Sequence, residues 1–417
     1  MRQSVGMRMV DSASVAAALA PLAAGCPRVV VPGNFATPHT TLGIVDAALP
    51  TYRLFALNAQ AGMPERTGVV HETPFVGPGV RRSARLDYVP ARLSLVPRLF
   101  SLTHAPDVVL LHTTPPRAGR VSMGLEVNVL PAAVEAVRRR GGLLIAQVNP
   151  HMPWTYGDGE LSTDLIDLGL EVDEPLASPV PRTPGEVERL IGERVSTFVE
   201  DGATLQLGIG GVPDATLAGL VSRRGLRIWT EMFSDGVLAL DEAGALDQDE
   251  QLVASFVFGS TELYKWVDGN PRVRMLRTEV TNDPGQIAQR PRMTSINSAL
   301  QVDLFGQANA SWAGGRIYSG FGGQSDFVVG ALHAPEGVAV IALPSWHRKA
   351  DVSTIVPVLD GPATSFQHSW VVTEQGAASI WPRTSQEQAA NLIRIAHPEE
   401  RPGLERAARE RLDNLIF

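Results

Sequence analysis

The sequence predicts an α/β protein of two domains built on mainly parallel sheets, and three observations carry that expectation. Short apolar runs recur at Arg28–Val31, Val108–Leu111, Leu143–Val148, Thr204–Ile209, Leu226–Trp229, Val338–Leu343 and Trp370–Thr373. They are rich in Val, Ile and Leu and do not alternate with polar residues, as in strands buried on both faces. Helical segments separate them, which implies parallel layering. Four prolines (Pro175, Pro179, Pro181 and Pro184) then mark a boundary near the middle of the chain. At a prior of about 150 residues per domain, 417 residues fit two or three domains, each long enough to bury a core.

The first 26 residues admit two readings. Arg2 and Arg8 precede an alanine-rich stretch, Ala16 to Ala24, that ends in Gly25-Cys26 like a lipoprotein cleavage site. The second reading is a helix. Asp11 and Ser12 stand where a cap belongs, and Val15, Leu19 and Leu22 follow at helical spacing. Pro21 interrupts the would-be leader, and the strand at Arg28 starts too soon after Cys26, so the helix is preferred and a cytoplasmic location is expected. Cys26 is expected to be a small buried apolar residue. No apolar run approaches the ~20 residues of a membrane span.

After the proline stretch the sequence predicts a helix start. Thr183 can cap, Pro184 suits the first turn, and Glu186 lies three residues after the threonine. Val187, Leu190, Ile191, Val195 and Phe198 mark one apolar face, and Gly202 suits the stop.

Composition excludes several functions. With 44 acidic against 36 basic side chains, the net charge of −8 argues against a polyanionic nucleic-acid partner. A single cysteine rules out a disulfide framework or a multi-cysteine metal site. Of the 36 basic residues only Lys265 and Lys349 are lysines.

The chemistry concentrates at Thr204-Leu-Gln-Leu-Gly208-Ile-Gly210-Gly211-Val-Pro213, a strand, a glycine turn and a helix start. The next strand leads into Thr230-Glu231-Met-Phe-Ser-Asp235-Gly236. One reading is a dinucleotide site, with Gly208-x-Gly210 after a strand and an acid, Glu231, about twenty residues on. The third glycine of that pattern should fall at 213, which is proline. The other reading is an anion site, because bare glycine amides at a helix start stabilise developing negative charge. Glu231 would face the same crevice from the carboxyl end of the adjacent strand, and such a carboxylate can attack an activated acyl group. Position alone equally allows a solvated loop acid. A second cluster, Tyr318-Ser-Gly320-Phe-Gly322-Gly323-Gln324-Ser-Asp326-Phe, again lets backbone approach a ligand, or is an ordinary tight turn.

Other chemistries are disfavoured. The nine histidines show no His-Glu-x-x-His spacing, and His39, His151 and His347 receive no role. No Gly-x-Ser-x-Gly elbow and no phosphate-binding Gly-x-x-x-x-Gly-Lys loop occurs.

A set of ordered motifs then adds a resemblance. It comprises Asp87-Tyr-Val-Pro90, Leu93-Ser, Pro97-x-Leu-Phe100, Asp107-Val-Val-Leu-Leu, Pro115-Pro116 and Ala146-Gln-Val-Asn149-Pro-His-Met-Pro153. It continues with Gln206-Leu-Gly-Ile-Gly-Gly, Thr230-Glu-Met-Phe-Ser-Asp-Gly236, Met293-Thr-Ser-Ile-Asn-Ser-Ala-Leu300 and Val302-Asp-Leu-Phe-Gly-Gln307. The second glycine cluster, Ile355-Val-Pro357 and Val372-Thr-Glu374 complete it. Together these resemble the acetyl-CoA hydrolase/transferase family, and within it the 4-hydroxybutyrate (butyrate-type) CoA-transferases.

The resemblance implies two similar α/β domains of the CoA-transferase type, 1–180 and 181–417, with the active site between them. It implies that Glu231 attacks an acyl-CoA thioester, giving an acyl-glutamyl anhydride and then a glutamyl-CoA thioester from which a second carboxylate takes CoA. Gly208, Gly210 and Gly211 match the first glycine loop, and Gln206 a substrate-side position. Gly320, Gly322, Gly323, Gln324 and Asp326 match the loop lying by CoA. No metal and no cofactor beyond coenzyme A as substrate is expected. The expected partners are an acyl-CoA and a small carboxylic acid, with neither nucleic acid nor membrane, and a homodimer is expected. Hydrolysis by the same glutamate and non-catalytic acyl-CoA binding are the alternatives. Where relatives commonly carry Lys and Arg near the Ile-Val-Pro segment, this chain has Asp351 and Thr354, and an Arg-Gly-Lys stretch gives way to Ser379-Ile-Trp381-Pro382-Arg383. Basic groups there would bind CoA phosphates. Lys349, Arg348 and Arg383 are the expected substitutes.

Overall fold

The computed structural model describes residues 6–180, 182–361, 363 and 367–413; Arg2 of the leader-like stretch and Pro181 of the boundary stretch lie outside them. The chain forms two compact units. One holds the residues up to Pro179 together with Leu252–Thr281, and the other holds Val180–Gln251 together with the residues from Asn282 onward. The second unit is therefore not the continuous stretch 181–417. The reason is backbone pairing. Strand Leu252–Ala254 pairs in parallel with Val273–Met275, which pairs in parallel with Tyr156–Gly157 of the first unit. The Ser255 carbonyl also accepts from the amides of Val127 and Asn128, at 2.9 and 3.1 Å. Pairing between segments so far apart leaves no local trace in the sequence.

The first unit carries an eight-stranded sheet in the order Arg8–Met9, Leu168–Glu171, Leu143–Val148, Val108–Thr113, Arg28–Val30, Tyr52–Phe55, Val69–Thr73, Leu86–Tyr88. Every pairing in it is parallel. Val108–Thr113 is buried along its whole length, which explains its unbroken apolar run. The second unit carries six strands in the order Arg227–Ile228, Thr204–Gln206, Met293–Ser298, Val338–Ala342, Trp370–Thr373, Gly376–Ser379. All pairings are parallel except the last. Its core includes Val302, Ile341, Val371, Leu392 and Ile395.

The two sheets share a plan. Tyr52–Phe55, Arg28–Val30, Val108–Thr113, Leu143–Val148 and Leu168–Glu171 follow one another as do Arg227–Ile228, Thr204–Gln206, Met293–Ser298, Val338–Ala342 and Trp370–Thr373. Counted along the chain, the shared core runs second, first, third, fourth, fifth in both. Winding reverses beside the first of these strands, and the crevice beyond the carboxyl ends at such a reversal is where α/β sheets bind ligands.

Local expectations meet mixed outcomes. Asp11 does cap a helix, Ser12–Leu19, through the Ser14 amide at 2.9 Å, with Val15 and Leu19 fully buried. After the proline stretch, however, the helix is Glu186–Ser196, with Gly185 as its cap. The Gly185 amide donates to Glu188 at 2.7 Å, so the reciprocal contact lies two residues beyond Thr183 and Glu186. Cys26 is exposed, not buried, in the irregular segment just before the strand Arg28–Val30. No described helix is long and apolar enough to cross a membrane.

Candidate active site

In the second unit two neighbouring strands deliver the chemistry. Thr204–Gln206 stops earlier than its apolar run suggests, because Gly208 and Gly210 turn the chain into the helix Gly211–Ala218. Gly210 has φ +118°, a conformation that requires glycine. Arg227–Ile228, parallel to Thr204–Gln206, leads into Trp229-Thr230-Glu231. The buried Thr230 hydroxyl ties the two turns together, accepting from the Leu207 amide at 3.4 Å and donating to the Leu207 carbonyl at 3.3 Å.

Glu231 is partly buried, and its Oε2 accepts from Nδ2 of the fully buried Asn282 at 2.8 Å. Gly323 closes the other side. A β-carbon built on it would lie 1.7 Å from Glu231 Oε2 and 2.4 Å from Asn282 Nδ2. Gly323 has an ordinary φ of −91°, so close approach, not backbone strain, demands glycine here. It is the cap residue of the helix Gln324–His333, whose first turn carries the fully buried Asp326. Burial, followed by the charge of Asp326, pushes the Glu231 carboxyl up to about 7, against the hydrogen bonds from Asn282 and the Gly323 backbone. A partly buried carboxylate with so displaced an ionisation, beside a glycine loop, marks Glu231 as a candidate functional group.

The structure thus brings Glu231, Gly323 and Asp326 together and places the first glycine loop beside them. Gly208 and Gly210 face open space; only the Pro213 ring comes near Gly208, 3.8 Å from an added β-carbon. Gly211 does not. A β-carbon there would lie 2.3 Å from the Glu188 carboxyl carbon, so Glu188 covers this end of the helix. Gln206 is 2 % exposed, and its Oε1 accepts from Ser295 Oγ at 2.8 Å and Asn297 Nδ2 at 3.0 Å across the sheet.

In the second cluster Gly322 is left-handed at φ +55°, Gly320 is buried, and Gln324 Nε2 donates to the Ser298 carbonyl at 3.0 Å. Asp326, having no exposed surface, acts on the charge of Glu231 rather than on a ligand directly. Lys349 is exposed at the turn between strands Trp346–His347 and Val352–Ser353, and it makes no ion pair among the described residues. Arg348 and Arg383 are exposed as well. Asp351 accepts from Trp346 Nε1 at 3.2 Å, and the buried Thr354 hydroxyl donates to the Pro344 carbonyl at 2.6 Å. Both departures therefore serve the local fold. Among the described residues no cluster of three or more His, Cys, Asp or Glu is disposed to hold a metal ion.

Sequence reasoning missed Asn282. Asn282-Asp283-Pro284 reads as a helix start, and Asp283 does cap Pro284–Ile287. Nothing in that pattern shows that the asparagine faces a glutamate 51 residues earlier.

The chain is similar to known proteins over most of its length. Residues 45–179 match the acetyl-CoA hydrolase/transferase N-terminal domain, and residues 259–408 match the acetyl-CoA hydrolase/transferase C-terminal domain. The chain is 39% identical over 349 residues to the 4-hydroxybutyrate coenzyme A transferase of Clostridium kluyveri, covering 80% of each protein. It is 36% identical over 410 residues to the succinyl-CoA:acetate/propanoyl-CoA:succinate CoA transferase of Fasciola hepatica, covering 92% of this chain and 85% of that protein. The solved structure of a 4-hydroxybutyrate CoA-transferase from Porphyromonas gingivalis superposes with a TM-score of 0.81 at 31% identity, over 97% of this chain and 98% of that one.

Proposed function

The chain belongs to the acetyl-CoA hydrolase/transferase family, and from that premise we propose that this enzyme of acyl-CoA thioesters moves CoA from an acyl-CoA to a short-chain carboxylate, with Glu231 as covalent nucleophile. The observation that carries the reading is the Glu231 carboxylate itself, anchored through Oε2 by Asn282 and walled by Gly323 at the carboxyl end of a parallel strand.

The chemistry balances without an added group. Ionised Glu231 attacks the thioester carbonyl carbon, a C–O bond forms, the C–S bond breaks, and CoA leaves as thiolate. The product is an acyl-glutamyl anhydride. The thiolate attacks the glutamyl carbonyl, releasing the donor's carboxylate and leaving glutamyl-CoA. An acceptor carboxylate then displaces the thiolate to form its own anhydride, and the thiolate attacks the acceptor's acyl carbonyl, regenerating Glu231. In this reading the backbone amides of Gly208 and Gly210 receive charge developing on a carbonyl oxygen, which the open space around both glycines supports. Gly320, Gly322, Gln324 and Lys349 are the residues of the CoA side in this reading, and Gln206 orders the sheet beneath the crevice.

Incubation with acetyl-CoA, with and without acceptor acids, tests the reading. Thiol release that depends strictly on an acceptor supports transfer. Release in water alone replaces transfer by hydrolysis of the same covalent intermediate. Binding of acyl-CoA with no thiol release and no covalent adduct contradicts both.

A further inference from the structure

The geometry points to the contact between Ile287 and Gly330, neither of which touches the carboxylate, as the brace that positions the Glu231 site. The inference rests on Glu231 being the nucleophile. Gly323 and Gly330 lie seven residues apart on one helix, Gln324–His333 with its cap, and so share a face to within about 20°. Both meet the same partner segment. At one end Gly323 faces Asn282, whose Nδ2 would be 2.4 Å from an added β-carbon. At the other end Gly330 faces Ile287, whose Cβ and Cγ2 would each lie 2.5 Å from an added β-carbon, with the Pro284 carbonyl oxygen 3.1 Å away.

Between those two contacts the partner segment is stiff. Asp283 Oδ1 accepts from the Gly285 amide at 2.6 Å and the Gln286 amide at 3.4 Å, so the turn from Asn282 to Ile287 is fixed. Ile287 is fully buried. Its Cβ and Cγ2 belong to the β-branch, which cannot swing away as the end of a long side chain can. A helix held at Gly330 can neither slide nor roll against Asn282–Ile287. The helix carries Gly323 and Asp326, and the segment carries Asn282; these are the groups that surround Glu231. The brace therefore fixes the carboxylate's orientation and its ionisation from a distance. Displacement of about 1 Å in such a site can cost about 10²-fold in rate.

The test compares Ile287→Val, which keeps Cγ2, with Ile287→Leu, which moves the branch outward, and with Gly330→Ala alone and combined with Ile287→Ala. Measured quantities are kcat, KM for acyl-CoA, the midpoint of the acid limb of the pH profile, and the melting curve. Ile287→Val should stay within about twofold of wild type, as the conservative change. Ile287→Leu and Gly330→Ala should lose about tenfold or more in kcat with little change in KM and a displaced pH midpoint, and Ile287→Ala should restore most of the loss caused by Gly330→Ala. If Gly330→Ala fails to fold, the Val and Leu variants decide the matter. Equal kcat and equal pH midpoints in those two variants overturn the brace. Failure of the underlying reading shows differently: wild-type protein then forms no acyl-glutamyl adduct at all.

Discussion

Glu231 occupies the space that a side chain at Gly323 would need, since a β-carbon there would lie 1.7 Å from Oε2 and 2.7 Å from the carboxyl carbon. Gly323→Ala must therefore push the carboxylate away from Asn282 or shift the helix Gln324–His333. The expected outcome is a loss of about 10²-fold or more in kcat with the fold retained. Steady-state kinetics and circular dichroism check it. A folded Gly323→Ala protein with wild-type turnover contradicts the geometry.

The displaced ionisation of Glu231 fixes a pH dependence. A nucleophilic carboxylate must be ionised, so kcat/KM should rise tenfold per pH unit below about 7 and level off above it. The sign for stability is opposite. The folded value lies above the ordinary 4.5, so between about 4.5 and 7 the native state holds a proton that the unfolded chain has released. Stability from this group is complete below about 4.5 and falls as pH rises through 7. Glu231→Gln should then melt at a higher temperature than wild type at pH 8, with the gap closing towards pH 5. Coincident melting curves at pH 8 would argue against the displaced value.

Glu126 makes a prediction in the first unit. Its carboxylate is 1 % exposed, with Oε1 accepting from the Gly33 amide at 3.1 Å and Asn128 Nδ2 at 2.8 Å, and Oε2 accepting from the Asn34 amide at 3.0 Å. Burial pushes its carboxyl up, while these donors draw it down. Glu126→Gln turns one acceptor into a donor facing a donor, at a cost of about 2–3 kcal/mol. Thermal or denaturant melting should show the loss, and an unchanged melting curve would mean that these contacts contribute nothing.

Lys349 tests the CoA side. Exposed and without an ion pair among the described residues, it is available to a phosphate. Lys349→Gln should raise KM for acyl-CoA several-fold and leave kcat near wild type. An unchanged KM would remove Lys349 from the CoA site.

Much of the fold was legible because buried parallel strands write unbroken apolar runs, and all seven expected runs contain strands of the two main sheets. Two of the strands that escaped hold polar residues with partners from far away. Val69–Thr73 is buried throughout yet holds Glu72, which pairs with Arg28 at 2.6 Å and Arg53 at 2.5 Å on other strands. Met293–Ser298 reads as polar because Ser295 and Asn297 serve Gln206. At the candidate site the pattern singled out the glutamate and both glycine clusters, and the structure sets Gly323 of the second cluster against Glu231. What it could not supply was tertiary: that Asn282 reaches Glu231, that Gly323 stands against the carboxylate while Gly211 is covered by Glu188, and that Leu252–Thr281 joins the first unit.

The central claim is covalent attack by Glu231, and intact-mass and peptide mass spectrometry after incubation with acyl-CoA tests it most directly. The account predicts an acyl or CoA adduct on the peptide containing Glu231, trapped as a hydroxamate by hydroxylamine and missing in Glu231→Gln. An adduct that persists in Glu231→Gln, or turnover by wild type with no adduct at Glu231 under any trapping condition, contradicts it.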